Sequence, residues 1–151
     1  MWPDPEVEAL VTRRLIPARV HVKDDAAQYA KASESFGVSW TPTVLLIEPQ
    51  GVERHRIEGF LPTEEFLPQL LLGLGQIGFH AKRYDEAAAE FDAIVRKYPR
   101  TEAAPEAQYW AGVARYKGSG DAKELGAITK AFEERYQDTV WAKKASVWKR
   151  A

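Results

Sequence analysis

Hydrophobic and polar positions alternate in two different rhythms along this chain, and the change between them falls near residue 62. Asp4-Pro5-Glu6 places an N-cap before a proline at the first helical position. Val7, Leu10 and Val11 then form one stripe, which predicts a short helix to about Arg14. From Leu15 to Lys23 the period drops to two. Ala18, Val20 and Val22 fall on one face, with Arg19, His21 and Lys23 on the other, the pattern of a half-buried strand. Asp24 and Asp25 can cap a second helix over 25–36, with Tyr29, Ala32, Ser33 and Phe36 on one side and Gly37 as a left-handed terminator. Thr43-Val44-Leu45-Leu46-Ile47 is an unbroken apolar run of strand length, expected to be covered on both faces. Glu48-Pro49-Gln50-Gly51 is a turn, so Val52 to Phe60, rich in charge, should return as an antiparallel edge strand.

From Thr63 onward the period is helical. The predicted helices cover 64–81, 84–97, 103–117, 121–135 and 140–150, and Pro68 should make the first begin late or kink. An internal repeat lies in this half. Sliding the chain by 38 residues superposes Tyr98 on Tyr136, Thr101 on Thr139, Ala104 on Ala142, Ala107 on Ala145 and Trp110 on Trp148. Alanines recurring with aromatic rings mean helices that approach closely and lock at the rings, repeated by stacking.

Composition narrows the chemistry. Hydrophobic residues make up 45% and charged residues 28% of the chain, a globular balance. With 21 basic against 22 acidic residues, interleaved, there is no electrostatic footprint for nucleic acid or an anionic membrane. The apolar stretch Phe66 to Phe79 is too short for a bilayer span, and the start of the chain lacks the pattern of a secretory signal, so a cytoplasmic location is expected. There is no cysteine, which removes thiolate nucleophiles, disulfides and cysteine metal sites together.

Other candidate chemistry is sparse. His21, His55 and His80 lack metal-ligand spacing, so no metal and no cofactor is expected. Glu64-Glu65 fits the acidic preference of a helix start. No serine sits in a strained Gly-x-Ser-x-Gly turn, and Gly118-Ser119-Gly120 reads as a loop between helices, so no enzyme class is signalled. Tyr109, Trp110, Trp141 and Trp148 could form a recognition surface, but their helical spacing favours packing.

With Gly37-Val38-Ser39-Trp40-Thr41-Pro42-Thr43 before an apolar strand, residues 1–62 resemble the C-terminal portion of a thioredoxin-like domain. The resemblance implies a cis bond at Thr41–Pro42 and a peptide-docking loop of Trp40, Thr41, Pro42 and Thr43. The same proline also serves simply to aim the strand that follows, and the residues leave both roles open. The family's Cys-x-x-Cys, its first strands and its central strand have no counterpart in these residues.

Residues 63–151 resemble tetratricopeptide (TPR) repeats. Leu71, Leu74, Gly75, Tyr84, Ala87, Phe91, Tyr98 and Pro99 lie near the consensus spacing, with Ala107, Tyr109, Trp110, Gly112, Ala114 and Tyr116 in a second unit. Together the halves resemble bacterial thioredoxin-TPR fusions, some of them co-chaperones. The implied fold class is α/β plus all-α, with a partial three-stranded thioredoxin-like sheet followed by a TPR-like array. The implied function is a redox-inactive scaffold or co-chaperone binding a protein or peptide partner. The alternative is a thioredoxin-family oxidoreductase whose Cys-x-x-Cys lies upstream of Met1. Three strands where the family has five leave an edge open, which points to a homodimer or hetero-assembly. A compact monomer, with Ala18–Val22 beside Thr43–Ile47, is the competing solution.

Overall fold

The computed structural model describes residues 4–149. Helix α1 (Pro5–Arg14) begins where Asp4 accepts hydrogen bonds from the amides of Glu6 and Val7, at 2.8 and 3.2 Å. Helix α2 (Ala26–Phe36) ends at Gly37, whose φ of 61° places it in the left-handed region expected of a terminator. Strands β1 (Thr43–Ile47) and β2 (Glu53–Glu58) form a two-stranded antiparallel sheet with Val44 opposite Ile57 and Leu46 opposite His55.

The strand expected over residues 15–23 does not form, so the sheet has two strands and not three. Residues 15–20 carry no regular structure, and His21–Asp25 is a turn closed by the Asp25 amide on the His21 carbonyl. Two-residue alternation is satisfied there, but a strand also needs a neighbour to bond. Neither the backbone nor the side chains of residues 16–20 hydrogen bond to anything among the described residues. The side chains that would have been buried face solvent: Ile16 is 99% exposed, and Val20 and Val22 are 40% exposed. The compact monomer with this segment beside β1 is therefore not what the chain adopts. Helix α2 does form, but its Tyr29, Ala32, Ser33 and Phe36 stripe is only half-buried.

A two-stranded hairpin is marginal alone. Here α3 (Thr63–His80) supports it, and Val44, Leu46 and Ile57 join Val7, Leu10, Leu67 and Leu70 in one apolar cluster. The approach is close. A Cβ on Gly73 would lie 2.6 Å from Leu46 Cδ2 and 3.0 Å from His55 Cβ, so a larger residue there would force the Leu46 side chain to move. The cover is one-sided, contrary to the two-faced burial expected of β1: Leu46 is buried, while Ile47 is 39% exposed. Nor does Pro68 delay the helix. Helix α3 starts at Thr63, and Pro68 is fully buried within it.

The other side of α3 opens a helical array of α4 (Tyr84–Lys97), α5 (Ala103–Ser119), α6 (Lys123–Glu134) and α7 (Val140–Ala145), closed by a 3-10 turn at Ser146–Trp148. Each helix packs on the next, and α5 also reaches α3. Leu72, Ala87, Phe91, Ile94, Ala107, Ala111 and Ala114 form a second buried cluster, and Ile128, Phe132 and Ala145 a third. The 38-residue repeat appears as repeated bonding. Thr101 donates its hydroxyl to the Tyr98 carbonyl at 2.8 Å, and Thr139 donates to the Tyr136 carbonyl at 2.7 Å. Ala107 and Ala145 are equally buried.

Candidate functional site

The loop from Gly37 to Thr43 is held at both ends by its own sequence. Ser33 donates to the Val38 carbonyl, and Val38 is buried. Thr43 Oγ1 donates to the Trp40 carbonyl at 2.6 Å, closing the turn around a cis Thr41–Pro42 bond. The Gly59 amide donates to the Pro42 carbonyl at 2.8 Å. That bond brings the end of β2 beside the loop. Two aromatic side chains on the segments so joined stand in solvent, Trp40 at 65% exposure and Phe60 at 82%. Thr41 and Pro42 are exposed and Thr43 is half-buried.

Arg56 anchors the loop from behind. Its guanidinium donates to the carbonyls of Phe36 and Gly37, the end of α2, and pairs with Glu53 at 2.8 Å and Glu58 at 3.0 Å. A cation at a helix C-terminus satisfies carbonyls left without intrahelical partners. The two carboxylates raise the pKa of Arg56, and hydrogen bonding to Arg56 holds Glu53 below the usual carboxylate range. In sequence Arg56 reads only as a charge on an edge strand. Its role in docking α2 depends on a contact twenty residues away, for which no local pattern exists. Phe60 was equally hidden, because the Gly59–Pro42 bond that positions it is tertiary.

The residues expected to pack the array divide between two clusters. Ala87, Phe91 and Ala107 are buried between helices, with Trp110 half-buried against them. Gly75 admits the Phe91 ring, since a Cβ there would lie 2.5 Å from Phe91 Cε1. Gly112 likewise faces Ile128. Tyr84 meets Phe79 edge-on with centroids 5.4 Å apart. Leu74 and Tyr98, however, pack toward the sheet-side cluster of α1, β1, β2 and α3. The Pro99 carbonyl accepts from the Tyr136 hydroxyl at 2.6 Å, tying one repeat to the next. Tyr109 packs against Trp110, Trp141 and Trp148 at centroid distances of 5.3 to 5.5 Å, so these rings are spent on one another.

Several polar and titratable side chains are held in local contacts. His55 bonds Gln69 Oε1 at 2.7 Å, and burial pushes its pKa down. His21 pairs with Asp24 at 3.0 Å, and Glu65 accepts from the Glu102 amide at 3.1 Å, capping α5 from α3. Among the described residues no group of three metal-ligating side chains occurs, and no helix is long and apolar enough to cross a membrane.

Residues 1–73 match a thioredoxin-like domain. The match ends at Gly73, where α3 touches Leu46 of β1, so the thioredoxin-like segment takes in α1, α2, the sheet and the part of α3 that covers it. Comparison with curated proteins and with solved structures gives no match.

Proposed function

We propose that this chain is a protein-interaction module, a scaffold or co-chaperone, in which a thioredoxin-like segment offers a docking loop and a TPR-type array supplies the rigid support. The observation that carries the reading is the pair of solvent-facing rings, Trp40 and Phe60, on the two segments that the Gly59–Pro42 bond joins. Large aromatic side chains kept in water on a braced loop cost solvation and give the monomer no packing in return. At interfaces such rings are the residues that dominate binding. The docking proposed here needs no thiol, and these 151 residues contain none.

The TPR assignment of the array draws support from the 38-residue repeat, from the matched Thr101 and Thr139 hydroxyl bonds, and from the close approaches at Gly75 and Gly112. The partner it fits is an extended polypeptide with apolar side chains, such as an unfolded client.

The test uses a permanently unfolded, thiol-blocked protein as probe in calorimetric or fluorescence titrations. The native chain should bind it, and Trp40→Ser combined with Phe60→Ser should weaken binding by about tenfold or more, the loss of two aromatic anchors. Both side chains are exposed, so circular dichroism and melting should change little. Equal binding by the double variant would refute the loop as the docking site, and no binding by the native chain would refute the function.

A further inference from the structure

Among the described residues β1 pairs on one edge only, with β2. The Gly59 amide bonding the Pro42 carbonyl sets the phase of the hairpin, and with Val44 opposite Ile57 and Leu46 opposite His55 it turns the peptide groups of Val44 and Leu46 toward β2. By alternation the peptide groups of Thr43, Leu45 and Ile47 point away from β2. They take no backbone partner outside the hairpin among the described residues.

The two edges of this sheet are guarded unequally. β2 bears Glu53, Arg54, Arg56 and Glu58, the charges that keep an edge from pairing. β1 is Thr-Val-Leu-Leu-Ile, with no charge, proline or glycine to discourage an incoming strand.

We propose that β1 pairs antiparallel with β1 of a second copy of this chain, across a two-fold axis at Leu45, to make one continuous sheet in the order β2, β1, β1, β2. In that register Leu45 faces Leu45, Thr43 faces Ile47 and Val44 faces Leu46. Charge permits it. Between Val38 and Gln50 the only charged residue is Glu48, which falls opposite Pro42 and meets no like charge. Closure favours it over a foreign strand. An added peptide would leave its own outer edge open, whereas the isologous pair satisfies both β1 edges at once and leaves the charged β2 strands on both rims. The contact also covers apolar surface that α3 does not reach, including Ile47. This interface does not rest on client docking, since Leu45 and Ile47, which pair in it, are not among the aromatic side chains offered to a client.

The experiment is sedimentation equilibrium of the full chain over micromolar concentrations, with hydrogen exchange of the β1 amides in parallel. The expected result is a species of twice 17.0 kDa, with Leu45 and Ile47 amide protection that rises with concentration. Leu45→Pro removes an outward amide that the hairpin does not use, so the hairpin survives while association weakens by roughly tenfold or more. Should that variant fail to fold by circular dichroism, Ile47→Lys, which places a charge on the same edge at an exposed position, serves in its place. A chain that stays at 17.0 kDa throughout overturns the proposal. So does a dimer that persists in the folded variant, or one whose β1 amides exchange freely.

Discussion

Gly112→Ala should destabilise the array although alanine is the better helix former. Gly112 lies inside α5, where replacing glycine with alanine gains about 1 kcal/mol of helix propensity. Against that stands Ile128 of α6. A Cβ at position 112 would sit 2.1 Å from Ile128 Cγ1 and 2.7 Å from its Cδ1. Cγ1 is next to the branch point and not a free end, and Ile128 is 3% exposed, so relief requires a changed rotamer in a packed site or a shift of α6. Such overpacking typically costs about 1–3 kcal/mol, and a contact this short belongs at the upper end. The net expectation is a loss of about 1–2 kcal/mol, or roughly 2–8 °C in Tm for a domain of this size.

Gly78→Ala supplies the control, because a Cβ there would meet Ala87 Cβ at an ordinary 3.7 Å. That change should keep the propensity gain and stabilise by up to about 1 kcal/mol. Thermal and urea unfolding of both variants measures the two signs. A double-mutant cycle with Ile128→Ala isolates the clash, since Gly112→Ala should become neutral or stabilising once Cγ1 is gone. If Gly112→Ala matches or exceeds the native stability, the close packing of α5 on α6 is wrong.

Ala87→Leu and Ala107→Leu should each lower thermal stability by about 1–3 kcal/mol, because both positions are filled by neighbouring helices and are at most 1% exposed; unchanged melting would remove the basis for the helix register. A pH effect should come from His55, whose folded pKa lies below its unfolded value of about 6.5 chiefly because burial disfavours the imidazolium. Its contribution is therefore present above that value and is lost as the pH falls through the lowered folded pKa, so Tm should drop on acidification and His55→Gln should flatten the slope. A slope unaltered by the substitution, followed by differential scanning calorimetry, would assign the pH dependence to other groups.

The helical half was legible in sequence to within a few residues. Tyr84 to Lys97 is helical as expected, and the 38-residue repeat returns as matched threonine bonds and matched buried alanines. Helices satisfy their own backbone within the segment, so local pattern suffices to place them. The end of the chain shows the limit, because the helix expected over 140–150 tightens into a 3-10 turn at Ser146, where Thr129 of α6 bonds the Ala145 carbonyl.

Strands are different in kind, since their hydrogen bonds lie between segments. Thr43–Ile47 and Ala18–Val22 both read as strands, yet only the first found a partner, in β2, and the second is left without regular structure. Local pattern was enough for the alternation at Val20 and Val22, the glycine terminator of α2 and the loop at Pro42. Packing in three dimensions set the rest: α3 meets the sheet at Gly73 and Phe91 at Gly75, Arg56 holds the end of α2, and one edge of β1 has no partner among the described residues. Each of these depends on which surfaces meet, and a residue's own neighbours in sequence carry no record of that.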